Sequence, residues 1–360
     1  MKILFYIETL RSGGKERRLV ELIKGLNVYP DIEFELVLMR EEIHYEEVLE
    51  LGIKIHFTPK RKLKRDLSPF WMFYGIAREV KPDIIHVWGS MGAFYSIPSK
   101  LLLNLPLVNN QITSVPIEQK KPSLFNKITF YFSDLLLSNT KIGIERFMAP
   151  NYKSKCIYNG FDFERIKELA DSLEVRKKYK IKTVFLVGMV ASFSSKKDYD
   201  SYVEAAIKLC SIRDDITFIS VGDGDFTCFK NKIPQKFEER ILFMGAQKKI
   251  ESIMNACDVG VLATFTEGIS NTVMEFMALS KPIIVSGVGG TKEIIENDIN
   301  GIHIAAKSPT LLCKKIEDLL SNVELRKTLG NNARKTIESK FEISIMVNSF
   351  IKEYKKICVV

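Results

Sequence analysis

The chain lacks the signatures of a stapled or metal-built fold. Its six cysteines, Cys156, Cys210, Cys228, Cys257, Cys313 and Cys358, are scattered and form no Cys-x-x-Cys pair. Neither a zinc site nor a disulfide framework is therefore expected, and reduced thiols in a cytoplasmic setting are the default. No run of about eighteen apolar residues occurs, so no transmembrane helix is expected. The opening stretch MKILFYIETLRSGG is briefly apolar but has no small-residue cleavage site, and reads as a first strand rather than a signal peptide. There is no internal repeat and no low-complexity tract. Helix-turn-helix, zinc-finger and RNA-stacking patterns are missing too, so nucleic acid is not an expected partner.

What is present is length, charge and alternation. A chain of 360 residues is too long for one ordinary core and argues two domains. With 46% hydrophobic and 27% charged residues it has the composition of a globular protein rather than a disordered one. The net charge of +9 draws polyanions: anionic lipid or phosphorylated substrates. Two basic segments are candidates for peripheral contact with an anionic membrane. One is PKRKLKR at 59–65; the other is the basic, aromatic stretch QKKPSLFNKITFYFSD at 119–134. The latter reads equally as a helix packed on a sheet with its lysines in water. Apolar strand patterns at 2–8, 34–39, 53–57, 83–88, 106–111 and 135–139 alternate with helical ones, and the alternation restarts at 183–190. That is an α/β pattern.

The most informative stretch is DVGVLATFTEGISNTVMEFMALSKPIIVSGVGG at 258–290. A β-branched run at 259–263 reads as a buried strand. A polar turn at 264–268 follows, then a helix over about 272–280 that Lys281-Pro282 ends, then a strand at 282–286. Glu267 falls in the turn at a strand's carboxyl end, where open α/β sheets bind ligands. Glu275 falls in the helix behind it, whose amino-terminal amides suit an anion. Spacing alone leaves a structural alternative open, because Thr272-x-x-Glu275 also fits a capping box.

The segment TEGISNTVMEFMALSKPIIVSGVGGTKEII resembles the Glu-x7-Glu signature of retaining GT-B glycosyltransferases, family 4 in particular. Pro282, Gly289-Gly290, Glu293 and Asn300-Gly301 follow the same pattern, as do Pro82-Asp83-Ile84-Ile85-His86 and Asn159-Gly160-Phe161-Asp162 in the first half. The resemblance implies two Rossmann-like domains facing across a cleft. These are an acceptor-binding domain over 1–165, a nucleotide-sugar domain over 166–340 and a terminal helix, 341–360, returning to the first domain. A helix over 163–179 would carry the chain across. The implied activity is transfer of a sugar from a nucleotide-sugar, UDP being the family's commonest choice, to a glycan or lipid-linked glycan precursor. Anomeric configuration would be retained, as in cell-surface polysaccharide or lipopolysaccharide synthesis, in a cytoplasmic protein at the inner membrane face. No metal and no other cofactor is implied. The Asp223 and Asp225 pair matches the family's Gly-Asp-Gly turn rather than an Asp-x-Asp metal motif.

Carried over residue by residue, the resemblance assigns catalytic roles to Glu267, Lys197 and His86. It assigns donor binding to Gly13, Gly14, Lys197, Gly268, Ile269, Ser270, Asn271, Thr272 and Glu275, with Glu275 accepting the ribose hydroxyls. Two positions depart from the pattern. Ser192 stands where the family carries a diphosphate-binding arginine, and Trp88 where many members carry a second histidine. They motivate an alternative reading, a catalytically weak or inactive GT-B protein that binds nucleotide or glycan.

Overall fold

Short runs rich in Val, Ile, Leu and Phe are buried on both faces, as strands covered by helices must be. The computed structural model describes residues 1–11, 13–59, 66–112 and 122–358. It separates into two units, Met1–Gly160 with Ile343–Val360, and Phe161–Glu342. The first unit holds a parallel sheet of β1 Lys2–Ile7, β2 Glu33–Leu38, β3 Ile55–Phe57, β4 Ile84–Trp88, β5 Leu107–Ile112, β6 Leu135–Ser138 and β7 Ser154–Cys156, in the order β3-β2-β1-β4-β5-β6-β7. The second holds β8 Phe185–Val190, β9 Ile216–Val221, β10 Ile241–Phe243, β11 Val259–Leu262, β12 Ile283–Ser286 and β13 Ile302–Ile304, in the order β10-β9-β8-β11-β12-β13. Each sheet grows outward from its first strand and then reverses to the other side. The reversal falls between β1 and β4, and between β8 and β11. The loops leaving that pair diverge, and the crevice they open is where doubly wound sheets bind ligands.

Three local expectations change. The chain enters the second unit at Phe161, earlier than the expected boundary at 165. The helix expected over 163–179 is interrupted: a 3-10 helix, Phe163–Ile166, is followed by the helix Ser172–Lys178. Asp162 accepts from the Glu164 amide, and Asp171 accepts from Leu173 and Glu174, so each aspartate opens a helix of its own. The helical pattern after β2 shrinks to Glu47–Glu50. There Leu10 pairs with Ile43 through Leu10 N to Glu42 O and His44 N to Leu10 O, both 2.9 Å, which holds that stretch extended.

The last helix, Ile343–Cys358, packs onto the first unit. Its apolar stripe of Met346, Val347, Phe350, Ile351 and Tyr354 joins the core around Leu19, Ile23 and Leu26 of the helix Gly14–Leu26. Burial of a side chain such as Phe350 is worth about 1.5–3 kcal/mol. The stripe also reaches His86 on β4. Tyr354 Oη and His86 Nδ1 share a hydrogen bond of 2.7 Å, and Phe5, Trp88 and Phe350 surround the imidazole.

His86 therefore belongs to the core, and the proton-shuttling role expected of it is withdrawn: the ring is fully buried. Burial, and then the neighbouring Arg18 charge, hold its pKa well below the 6.5 of a free imidazole. On unfolding the ring regains its ordinary affinity for a proton. Below about pH 6.5 the unfolded chain thus binds a proton that the folded one refuses, and stability falls by up to about 1.4 kcal/mol per pH unit. Thermal melts between about pH 7.5 and 5.5 are expected to show this loss, and His86→Gln to flatten it. An equal slope in the variant excludes the account.

Candidate active site

Lys197 and Glu267 come together because β8 and β11 are neighbours at the reversal of the second sheet. The chain after β8 runs through 191–198, and the chain after β11 through 263–270. Backbone bonds stitch the two: Asp198 N to Ala263 O at 3.0 Å, Phe265 N to Lys196 O at 2.9 Å, and one antiparallel bridge between Lys197 and Thr264. Thr264 Oγ1 adds a bond to Lys196 O at 3.0 Å. This fixes the Lys197 ammonium against the Glu267 carboxylate as an ion pair. The side chains are 14% and 19% exposed, enough shelter to limit screening and enough access to meet a ligand.

Glycines set both loops at their height. A Cβ on Gly222 would stand 1.9 Å from the Ala191 carbonyl oxygen, and Gly224 has φ +112° with Phe193 N bonded to Asp223 O at 2.7 Å. The Gly-Asp-Gly turn after β9 is thus the bed on which the Lys197 loop lies. Asp223 and Asp225 each give a carboxylate oxygen to a turn amide, of Gly224 and Thr227. The turn after β12 does the same for Glu267. Gly290 N donates to Glu267 O at 2.9 Å, and Gly289, at φ +53°, would bring a Cβ within 2.2 Å of that oxygen.

Behind Glu267 the helix Asn271–Ala278 begins. Ser270 caps it, accepting from the Val273 amide. The capping box considered for Thr272 and Glu275 does not form. Thr272 Oγ1 donates instead to the Val190 carbonyl at the end of β8, at 2.9 Å. Glu275, buried, turns its Oε1 to Arg165 Nη2 at 2.5 Å, and the same nitrogen reaches Glu251 Oε1 at 2.6 Å. Arg165 and Glu251 carry no sequence motif, and only folding reveals them.

The second unit thus holds Lys197, Glu267, Gly268, Ile269, Ser270, Asn271, Thr272 and Glu275 on two stitched loops and one helix. Gly268, Ile269 and Ser270 are buried, Asn271 and Thr272 half-buried. Gly13 and Gly14 lie in the first unit, at the turn from β1 into the helix Gly14–Leu26. Ser192 is exposed beside Ser194, its Oγ 3.3 Å from the other. Of the basic segments, residues 60–65 and 119–121 lie outside the described residues.

The geometry defines a class: two Rossmann-like domains with parallel sheets, one with charged loops at its strand-order reversal. Known structures share this fold. HepE from Anabaena, solved in complex with UDP and glucose, aligns with a TM-score of 0.83 at 19% identity over 99% of this chain and 99% of its own. Residues 171–336 match the family Glycosyl transferases group 1. An uncharacterised glycosyltransferase of Methanocaldococcus jannaschii is 28% identical, covering 96% of this chain and 95% of the relative. A Campylobacter jejuni N-acetyl-D-galactosaminyltransferase, named for a diphospho-undecaprenol-linked acceptor, is 24% identical over 98% of each. Over 171–336 the chain matches the group 1 glycosyltransferases, and its two domains have the GT-B fold.

Gly289→Ala tests the support under Glu267. Both the positive φ and the 2.2 Å approach forbid a Cβ there, so the Glu267 turn must shift. Misplacing a reacting group by about 1 Å costs roughly a hundredfold in rate, and that loss of transfer is expected. Gly287→Ala is the control, since its Cβ meets nothing closer than 3.4 Å and should leave transfer intact.

Proposed function

We propose that the enzyme moves a sugar from a UDP-sugar to a glycan or lipid-linked glycan precursor, with retention of configuration, at the inner face of the cell membrane. The product would be a cell-surface polysaccharide or lipopolysaccharide. The observation that carries the proposal is the Lys197–Glu267 pair held at the reversal of β8 and β11, with the helix Asn271–Ala278 beginning behind it. The diphospho-undecaprenol acceptor in the name of the Campylobacter relative and the UDP bound to HepE support the choice of substrates.

In this reading the donor's diphosphate takes Lys197 from Glu267. Lys197, as a point charge, and the helix amino terminus stabilise negative charge on the departing diphosphate. The bond from the anomeric carbon to the phosphate oxygen breaks with its electron pair on the diphosphate. The acceptor hydroxyl attacks from the same side, and its proton passes to the departing phosphate. Glu267 meets the sugar, Gly268 to Thr272 present the backbone to sugar and phosphates, and Glu275 accepts the ribose hydroxyls. Gly13 and Gly14 supply a close backbone approach for the diphosphate.

Removing a group that stabilises only transition-state charge costs about a hundredfold or more in kcat. Lys197→Met is expected to show that loss in a transfer assay, and Glu275→Ala to raise the donor KM. Turnover unchanged in both variants removes the reading.

Membrane contact is a separate component. On the helix Leu124–Phe132, Leu124 and Tyr131 are 75% and 77% exposed, and Lys127 lies exposed between them, so one helical face mixes apolar and basic groups. The protein is expected to float with liposomes rich in anionic lipid, and the double variant Leu124→Ser, Tyr131→Ser to float less. Flotation that is absent, or indifferent to the double variant, excludes this face.

A further inference from the structure

Glu275 does not stand alone. It shares one guanidinium with a second carboxylate, Glu251, which opens the helix Ile250–Ala256. Arg165 supplies that guanidinium from the 3-10 helix Phe163–Ile166, with its plane 5.2 Å from the Phe161 ring centroid. The side chains of Arg165, Glu251 and Glu275 are only 11%, 14% and 4% exposed. Three neighbouring charged groups are engaged elsewhere. Asp162 caps the Glu164 amide, Glu164 pairs with Lys167, and Arg334 of the helix Val323–Lys340 lies over Phe163 and donates to the Ala278 carbonyl.

We infer that Arg165 is a positioning residue for the donor: it holds Glu275 oriented for ribose hydroxyls by standing between it and Glu251. The inference rests on the reading of Glu275 as the ribose acceptor. Its physical basis is the cost of two like charges in a sheltered pocket. One nitrogen, Nη2, reaches Oε1 of each carboxylate, so the other oxygen of Glu275 keeps its capacity to accept a hydroxyl. Without the guanidinium the two carboxylates are left facing each other, and their repulsion turns Glu275 out of the position in which it can accept a hydroxyl. Lys197 and Glu267 lie on other loops and are not part of this cluster, so chemistry on a bound donor is spared.

The test uses the full chain and calorimetric titration with UDP and with deoxyuridine diphosphate, which lacks one ribose hydroxyl. Arg165→Met is expected to weaken UDP binding by about tenfold or more, the order of one hydrogen bond to a charged group. The preference for UDP over the deoxy form should shrink with it. In transfer, donor KM rises while kcat at saturating donor holds. Arg165→Lys keeps the charge and should retain most affinity. Arg165→Met combined with Glu251→Gln removes the second charge and should restore binding, and it carries the test if the single variant does not fold.

UDP affinity unchanged or tighter in Arg165→Met overturns the inference, as does a loss that Glu251→Gln does not relieve. Glu275→Gln, measured alongside, separates the two levels. If it leaves UDP binding intact, the ribose role of Glu275 fails. If it weakens binding while Arg165→Met does not, only the role of Arg165 fails.

Discussion

The pairing of β8 with β11 is the constraint from which the second unit's site follows. Both strands run the same way, yet the chain leaves them toward opposite sides of the sheet, because β9 and β10 extend one flank and β12 and β13 the other. Neither following helix can cover the gap. The loops that leave the pair must satisfy their backbone groups with each other, and they do so through Asp198 to Ala263, Phe265 to Lys196 and the bridge of Lys197 to Thr264. A lysine and a glutamate about seventy residues apart in sequence become an ion pair because their loops are bonded to each other along the backbone.

The same logic explains why the neighbouring turns are glycine. The turn after β9 props the Lys197 loop from one side, and the turn after β12 props the Glu267 loop from the other. Both contacts are backbone against backbone, with 1.9 Å and 2.2 Å left for a Cβ at Gly222 and Gly289. No other residue fits such an approach, and Gly289 also has a left-handed φ. Thr291 tightens the second prop, donating from Oγ1 to Ser286 O at 2.8 Å while Ser286 Oγ accepts from the Thr264 amide at 3.0 Å. These glycines are therefore positioning elements.

Much of this was legible beforehand, and the reason is local. The run at 259–263, the turn to Gly268 and the glycines at 289 and 290 each state their conformation within a few residues. What could not be read lies in long-range side-chain geometry. Thr272 and Glu275 have capping-box spacing, but Ser270 supplies the cap, because Thr272 is drawn to the Val190 carbonyl and Glu275 to Arg165. His86 sits in a strand pattern beside a turn, which suits a site equally well. Its burial is decided by Tyr354 and Phe350, on a helix near the other end of the chain. The helix expected over 163–179 is interrupted for a local reason: Asp162 and Asp171 are both capping residues, and two caps within ten residues make two helices.

The two units share a strand order but use their reversals differently. At β8 and β11 the loops carry charge that stays partly accessible, in Lys197 and Glu267. At β1 and β4 the turns carry a part-exposed pair of their own, Lys15 and Glu16, and beside it the Arg18 charge is internal. It donates to Asn110 Oδ1 at 3.1 Å and to the Ile157 carbonyl, and its guanidinium lies 5.4 Å and 5.3 Å from the Trp88 and Phe350 rings. Burial lowers its pKa to about 10, which still leaves it a cation at neutral pH. A buried cation against ring faces and carbonyl dipoles holds a neutral imidazole next to it, and so the family histidine at 86 is recruited into packing. The replacement of a second histidine by Trp88 belongs to the same arrangement, since the indole supplies one of the two faces that Arg18 lies against. In the first unit the buried Arg18 and His86 help tie in the last helix; in the second, Lys197 and Glu267 keep partly accessible charge at the reversal.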